Sequence, residues 1–411
     1  MCRALANSGH EVRVFSTEAR DADPYTVRSA RDGPVRVDRV NLPYFRSVDP
    51  DGWQLGLRRW REHERKVAEV IGRALEEWRP HLAVYSTARP LGEEGILAVH
   101  RSGVPIVGML HEAWLICPRI MLHRSPVDWA CSGPGPAKCL ECMYSHYDGS
   151  HGRAALKMAW RIPRLGIYPA YRLWRRSAAR RRPVGAVTVS EFMVNAHRGH
   201  IRGPITHVPV GVNLSGLPSA RRKRPRSPLR FGFMGGFQPN KGIWHVLDAA
   251  AALKALGLNF EVHVWGPGQE KGEREISLRD LGDRIRLRGM YAPDELWNVY
   301  SEIDVAIIAT TVPEPFGRIP IEAAACGVPT IGANIGGIPE SIRHEVNGLL
   351  YNFRDVADLT RQMRRVLEEP RLYERLREEL SPPVDTRDVA PAVEAAYRAG
   401  LANAHRWGAL T

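Results

Sequence analysis

The chain has 411 residues, 44% of them hydrophobic, with 58 Lys and Arg against 45 Asp and Glu for a formal net charge of +13. This length predicts two or three domains with full cores, and no apolar run reaches the ~18–20 residues that a bilayer-spanning helix needs. Six cysteines are too few for a disulfide scaffold and no charged-then-apolar leader opens the chain, so a cytoplasmic protein is expected; the positive surplus favours anionic partners such as nucleotide-sugars, phospholipid surfaces or nucleic acid.

Short apolar, β-branched runs alternate with helical stretches, the pattern of doubly wound α/β domains. In the first half, strands are predicted at Glu11–Phe15, His81–Tyr85, Pro105–Leu110 and Ala186–Ser190. In the second half they fall at Arg230–Met234, Glu261–Trp265, Ile285–Arg288, Val305–Ala309 and Thr330–Gly332. The Pro-, Ser- and Arg-rich run Ser215–Pro228 has linker composition, and the domain boundary is placed near residue 209.

His111 and Glu112 directly follow the Pro105–Leu110 strand, at the end where a doubly wound sheet presents ligand-binding groups. Taken alone, a histidine there more often serves structure. Cys117, Cys131, Cys139 and Cys142 come next, spaced C-x13-C-x7-C-x2-C, with Gly133–Pro136 turning the chain between the pairs. A C-x2-C pair plus two further cysteines suits tetrahedral zinc. An iron–sulfur cluster takes the same ligands, and free thiols or a disulfide are the plain alternatives. Ser125–Gly149 shows no helical periodicity, and a metal would give so long a loop a core.

Residues 151–183 are strongly basic and interleaved with aromatics, among them Lys157, Trp160, Arg161, Trp174, Arg175 and Arg176. They read as a solvated helix pair or as a face for an anionic membrane. Nucleic acid is the least expected partner, since no recognised nucleic-acid module accompanies the charge.

The most informative stretch, Glu314-Pro-Phe-Gly-Arg-Ile-Pro-Ile-Glu322, sets two carboxylates eight positions apart. Pro315 and Gly317 break any preceding element, and Ile319–Cys326 reads as a short helix closed by Gly327 and Pro329. Helical side chains lean toward the N-terminus, so Glu322 leans back toward the loop of Glu314. The backbone N–H groups of Phe316 and Gly317 are free to take an anion. Such a pocket suits a polyol attached to phosphate. Lys241, after Asn240 at a predicted helix start, adds a mobile cation to a helix N-terminus.

That stretch is similar to the E-x7-E signature of the retaining glycosyltransferase family 4 (glycosyl transferases group 1), which has the GT-B fold. Phe231–Gly242, containing Gly235, Gly236 and Lys241, resembles the family's strand, Gly-rich turn and Lys-Gly at a helix start. Val262–Gly268 resembles its second strand and Gly turn, and Arg286–Tyr291 the segment near the nucleotide base. Asn334–Glu340 and Glu345–Leu350 resemble its closing motifs, and Thr188–Glu191 and Val208–Asn213 its crossing into the second domain.

The resemblance implies an α/β protein of GT-B type, two Rossmann-like doubly wound domains facing across a cleft. Residues 1–208 would form the acceptor-side domain, 209–387 the nucleotide-sugar-binding domain, and 388–411 a helix returning to the first. It implies retaining transfer of a sugar from a UDP- or GDP-linked donor to a glycan, lipid-linked or natural-product acceptor, with no cofactor or metal at that step. Glu314 would lie near the donor sugar, Glu322 would hold the ribose, Lys241 the diphosphate, and Tyr291 would border the base. Gly235, Gly236, Phe316 and Gly317 would line the donor with backbone. His111 corresponds to the family's donor-sugar histidine, with Glu112 in place of the usual Asp. The family's second phosphate cation, an Arg five positions before the Lys, is Gly236 here, and Arg318 is the candidate replacement. Met1–Val12 matches the end of the family's first helix, so roughly one βα unit, ~25 residues, is expected ahead of Met1; a misplaced start and a real variant without it both account for this. The rival readings are a GT-B epimerase and a catalytically silent partner protein that keeps the fold.

Overall fold

The computed structural model describes residues 1–20, 22–42, 56–87, 91–120, 122–124, 129–148, 168–217, 225–369, 371–382 and 384–406. The chain forms two compact units, Met1–Pro209 with Arg387–Thr411, and Val210–Thr386.

The first unit opens with α1 (Cys2–Asn7), β1 (Arg13–Glu18), β2 (Val27–Asp32) and β3 (Val35–Asn41). The β2–β3 hairpin is absent from the predicted strands, yet Asp32-Gly33 between alternating valines is a strong hairpin signal, and Gly33 takes the φ of 60° that such a turn requires. There follow α2 (Gly56–Trp78), β4 (Ala83–Tyr85), α3 (Gly92–Arg101), β5 (Ile106–Leu110), β6 (His123–Arg124), β7 (Trp129–Ala130), α4 (Pro136–Asp148), α5 (Tyr168–Ala179), β8 (Gly185–Thr188), α6 (Glu191–His197) and β9 (Ile205–His207). One sheet has the order β1-β3-β2 and another, all parallel, the order β4-β5-β8-β9. β5 and β8 are buried throughout, as central parallel strands covered on both faces must be. β1 and β4 each end their sheet, and the strand that the resemblance places ahead of Met1 has no counterpart among these elements.

Two expectations for this unit need correction. Ser125–Gly149 is not without a helix: α4 occupies Pro136–Asp148. Proline at a helix start forfeits no hydrogen bond, and Cys139, Cys142 and Met143 are buried together at helical spacing. Counting the cysteines as ligands hid the fact that they are also small apolar residues. The basic segment, in turn, is not a free cationic face. α5 turns Arg172 and Arg176 inward to Glu93, and Arg175 to Glu64 and Glu94. Carboxylates from α2 and α3 offset the desolvation of these guanidiniums, while Trp174 alone stays 63% exposed. Residues 149–167, which hold the rest of the segment up to α5, lie outside the described residues.

The second unit is a single six-stranded parallel sheet of order β12-β11-β10-β13-β14-β15. Its elements are β10 (Leu229–Met234), α7 (Ile243–Ala255), β11 (Phe260–Trp265), α8 (Gln269–Leu278), β12 (Ile285–Gly289), α9 (Leu296–Ser301), β13 (Val305–Ile308), α10 (Ile319–Ala325), β14 (Thr330–Ala333), α11 (Ile338–Ser341), β15 (Gly348–Tyr351), α12 (Val356–Glu368) and α13 (Leu372–Glu378). Phe231, Phe233, Val262, Val264, Ile307 and Ile331 pack from the strands against Val246, Leu247 and Leu253 of α7 and Leu359 and Met363 of α12. Full burial on both faces explains why these strands read as unbroken apolar runs rather than alternating ones. The last helix, α14 (Thr386–Arg406), belongs to the first unit, where Val389, Val393 and Ala396 pack with Val107, Met109 and Val187.

Candidate functional site

The strand order of the second unit reverses between β10 and β13, and open parallel sheets bind ligands at the carboxyl ends of the strands that flank such a point. The loop leaving β10 carries Gly235, Gly236 and Lys241, and the loop leaving β13 carries Glu314, Phe316 and Gly317. The two loops are laced together. Thr311 donates its N–H to Asn240 O at 3.0 Å and its hydroxyl to Pro239 O at 3.0 Å. Gly242 caps α7 with φ 75°, and a Cβ there would stand 1.9 Å from Ala309 O. This lacing brings Lys241 Nζ to 2.8 Å from Glu314 Oε1.

The turn holding Glu314 rests on a second glycine pair. Gly337 N–H donates to Glu314 O at 2.9 Å. A Cβ at Gly336 would stand 2.3 Å from Glu314 O, and one at Gly337 2.4 Å from Pro315 O. Glycines in Asn334–Glu340 are thus demanded by backbone approach, which fixes where the Glu314 carboxylate starts.

Glu322 lies in the first turn of α10 and is buried. Tyr300 of α9, 0% exposed, donates its hydroxyl to Glu322 Oε2 at 2.9 Å. Arg318 Nη2 reaches Glu322 Oε1 at 2.9 Å. Burial raises the pKa of Glu322, against the opposing pull of Arg318 and the Tyr300 hydroxyl. Tyr291 is close enough to feel the same carboxylate, and burial first, then Glu322, raises its hydroxyl pKa. Tyr300 went unnoticed in the sequence. Its signal was a tyrosine on the apolar face of a short helix, since a buried tyrosine hydroxyl needs a partner.

Arg318 is therefore paired with the Glu322 carboxylate, not set beside Lys241 as a replacement phosphate cation. Nor can position 236 supply one. Gly236 has φ 56°, and a Cβ there would lie 2.4 Å from Pro267 O. Gly236→Arg is expected to destabilise the second unit by about 1–3 kcal/mol through backbone strain and overpacking. Denaturant midpoints of variant and wild type test this, and a variant of unchanged midpoint would refute it.

In the first unit, His111 is the exposed residue directly after β5. Glu112 beside it accepts a hydrogen bond from the Thr87 hydroxyl, 2.8 Å away, at the carboxyl end of neighbouring β4. Cys117, Cys139 and Cys142 are buried, Cys131 is half-buried, and all four are free. Among the described residues, no three His, Cys, Asp or Glu side chains are already closed into a metal site.

A Rossmann-like sheet whose reversal point carries a lysine–carboxylate pair, coupled in one chain to a second parallel-sheet unit, defines the GT-B fold class. Residues 1–215, more than half of the chain, match Glycosyltransferase Family 4, and residues 219–380 match Glycosyl transferases group 1. The chain belongs to glycosyltransferase family 4. It is similar to the 2-deoxystreptamine glucosyltransferase of Streptomyces kanamyceticus, 28% identical over 207 residues, covering 47% of this chain and 53% of that protein. A D-inositol 3-phosphate glycosyltransferase of Streptomyces bingchenggensis is 27% identical over 324 residues, 69% of this chain and 70% of its own. The chain spans about half the length of most curated relatives it matches. In fold, it superimposes on sucrose-phosphate synthase from Thermosynechococcus elongatus with a TM-score of 0.69 at 17% identity, covering 97% of this chain and 90% of that one. Anabaena HepE in complex with UDP-glucose gives 0.55 at 16% identity, covering 94% and 100%.

Proposed function

We propose that the protein is a retaining glycosyltransferase that moves a sugar from a UDP- or GDP-linked donor to a glycan, lipid-linked or small-molecule acceptor, acting in the cytoplasm or at the inner membrane face. The observation that carries this reading is the Lys241–Glu314 pair astride the β10/β13 reversal, with the Glu322 carboxylate held by Tyr300 on the adjoining helix. Lys241 and the N–H groups of Phe316 and Gly317 meet the diphosphate, whose negative charge grows as the sugar leaves. Ionised Glu322 accepts from the ribose hydroxyls, Tyr291 borders the base, and Glu314 lies against the donor sugar. His111 contributes from the first unit to the sugar's reacting end. No carboxylate acts as a covalent nucleophile; the departing phosphate takes the acceptor proton on the same face. The capture of HepE with UDP-glucose supports a uridine donor.

The test is a thermal-shift panel of UDP-, GDP-, ADP- and dTDP-sugars on wild type and Glu322→Ala. A ligand at a hundredfold its Kd adds about 2.7 kcal/mol of stability, a rise of about 5–10 °C for a unit of this size. One base class should shift the wild type and fail to shift Glu322→Ala. Burial raises the Glu322 pKa, so the carboxylate is neutralised at a higher pH than an ordinary glutamate. Donor affinity is therefore lost early on acidification. The absence of a side chain at Gly236 favours a second reading, a catalytically silent partner protein. A folded protein unshifted by every donor would establish that reading instead.

A further inference from the structure

Four cysteines of the first unit remain unused by this chemistry, and the structure gathers them around one strained turn. Cys117 ends the segment that leaves β5, and the turn after it holds Ile120 at φ 61° and Leu122 at φ 48°. A β-branched residue in that region is an outlier, and such strain persists only where surrounding contacts enforce it. Its effect here is specific: the backbone N–H groups of Arg119 and Leu122 both donate to the Cys117 sulfur. Leu122 then accepts the Cys131 N–H at 2.6 Å, which ties the first two cysteines through one residue. Gly135 N–H donates to Cys139 Sγ at 3.4 Å, and Cys142 lies three positions on, on the same face of α4. Cys131 is near enough to both Cys117 and Cys139, and Cys142 to Cys139, for the charge of one thiolate to be felt by the other.

We propose that Cys117, Cys131, Cys139 and Cys142 together bind a zinc ion that clips the turn after β5 to α4. Backbone N–H groups aimed at sulfur are what a metal-bound thiolate requires of its surroundings. Four sulfur ligands suit zinc at tetrahedral geometry, with Zn–S distances of about 2.3 Å. Binding draws the sulfurs from their present spacing into that tetrahedron, and each thiol releases its proton to solvent. The clip has a mechanical role. Arg176 Nη1 donates to Cys117 O at 2.7 Å, so the metal, the buried Arg176–Glu93 pair and the segment that begins at His111 form one braced body. The ion serves structure and takes no part in the transfer.

The test uses the full chain, expressed in zinc-supplemented medium and purified with reductant and without chelator. Elemental analysis should find about one zinc per chain, released as the thiols are titrated with a mercurial reagent. Cobalt substituted for zinc should show thiolate charge-transfer absorption. Cys131→Ser and Cys139→Ser should lose the metal and melt earlier, while nucleotide-induced shifts arising in the second unit persist. A folded, metal-free wild type with four titratable thiols overturns the proposal, whatever the variants do. So does iron in place of zinc, or a mass lowered by the protons of two disulfides.

Discussion

Glu93→Gln is expected to cost the first unit about 3–5 kcal/mol, the penalty for stranding a buried charge. Glu93 is 1% exposed at the start of α3. Arg176 Nε donates to its Oε1 at 2.8 Å, and Arg172 reaches the same oxygen at 3.4 Å. Arg172 also lies over the Trp60 ring at 4.7 Å, and both arginines are themselves buried. The glutamine keeps the shape and removes the charge, leaving two guanidiniums desolvated without their shared counter-ion. Burial alone would raise the Glu93 pKa, but Arg172 and Arg176 outweigh it and bring it down to about 2, from 4.5 in a free chain. The sign follows. Ionised Glu93 stabilises the folded unit above pH 4.5, and that contribution vanishes as the pH falls toward about 2. Urea midpoints at pH 7 and pH 3 measure both effects, and the variant should show a flatter acid limb than wild type. Glu77→Ala, which breaks exposed pairs with Arg13 and Arg36, should change stability by less than about 1 kcal/mol. Equal effects of the two substitutions would show that burial of the α2–α3–α5 charges does not govern stability.

The elements that sequence made visible are those whose residues have no alternative use. Phe231, Val262, Ile307 and Ile331 lie in strands buried on both faces, so their apolar runs could not read as anything else. The turns of the site were equally plain. Gly236, Gly242, Gly317 and Gly336 all take positive φ, and glycine is the residue that does so without strain. Lys241 and Glu314 were legible because those turns announce the loops that carry them. What stayed hidden depends on contacts far apart in the chain. Glu93 and Arg176 are separated by 83 positions, and nothing local tells a buried arginine from a solvated one, so the charge of α5 was taken for a surface. Tyr300 and Glu322 meet only because α9 and α10 pack beside one another, 22 positions apart in sequence. The α4 helix was masked for another reason: cysteine serves equally as ligand and as small core residue, and only the first use was counted.

Lys241→Ala is expected to lower the rate of sugar transfer by about 10²–10³-fold, the loss seen when one preorganised donor to a developing oxyanion is removed. The lysine sits at the end of a single 3-10 turn, Pro239–Lys241, directly before the left-handed Gly242 that starts α7. Its Cβ faces Gly235, where an added Cβ would approach it to 2.9 Å, so glycine at 235 lets the ammonium swing while its stem stays in place. Its partner Glu314 is mostly buried, whereas the lysine side chain is 37% exposed. A partly exposed pair of this kind adds under about 1 kcal/mol to folding. Activity and stability should therefore separate: the alanine variant melts near wild type, yet transfers sugar slowly. The distribution between kcat and KM locates the lysine in the mechanism. A fall confined to kcat means that it meets charge that grows as the phosphate leaves, whereas a rise confined to KM means that it only holds the ground-state diphosphate. Lys241→Arg preserves the charge but presents a wider, planar group to a loop already pressed against Ala309 and Thr311. It should recover nucleotide binding more fully than rate. An alanine variant with wild-type kcat and KM would remove the Lys241–Glu314 pair from the chemistry altogether.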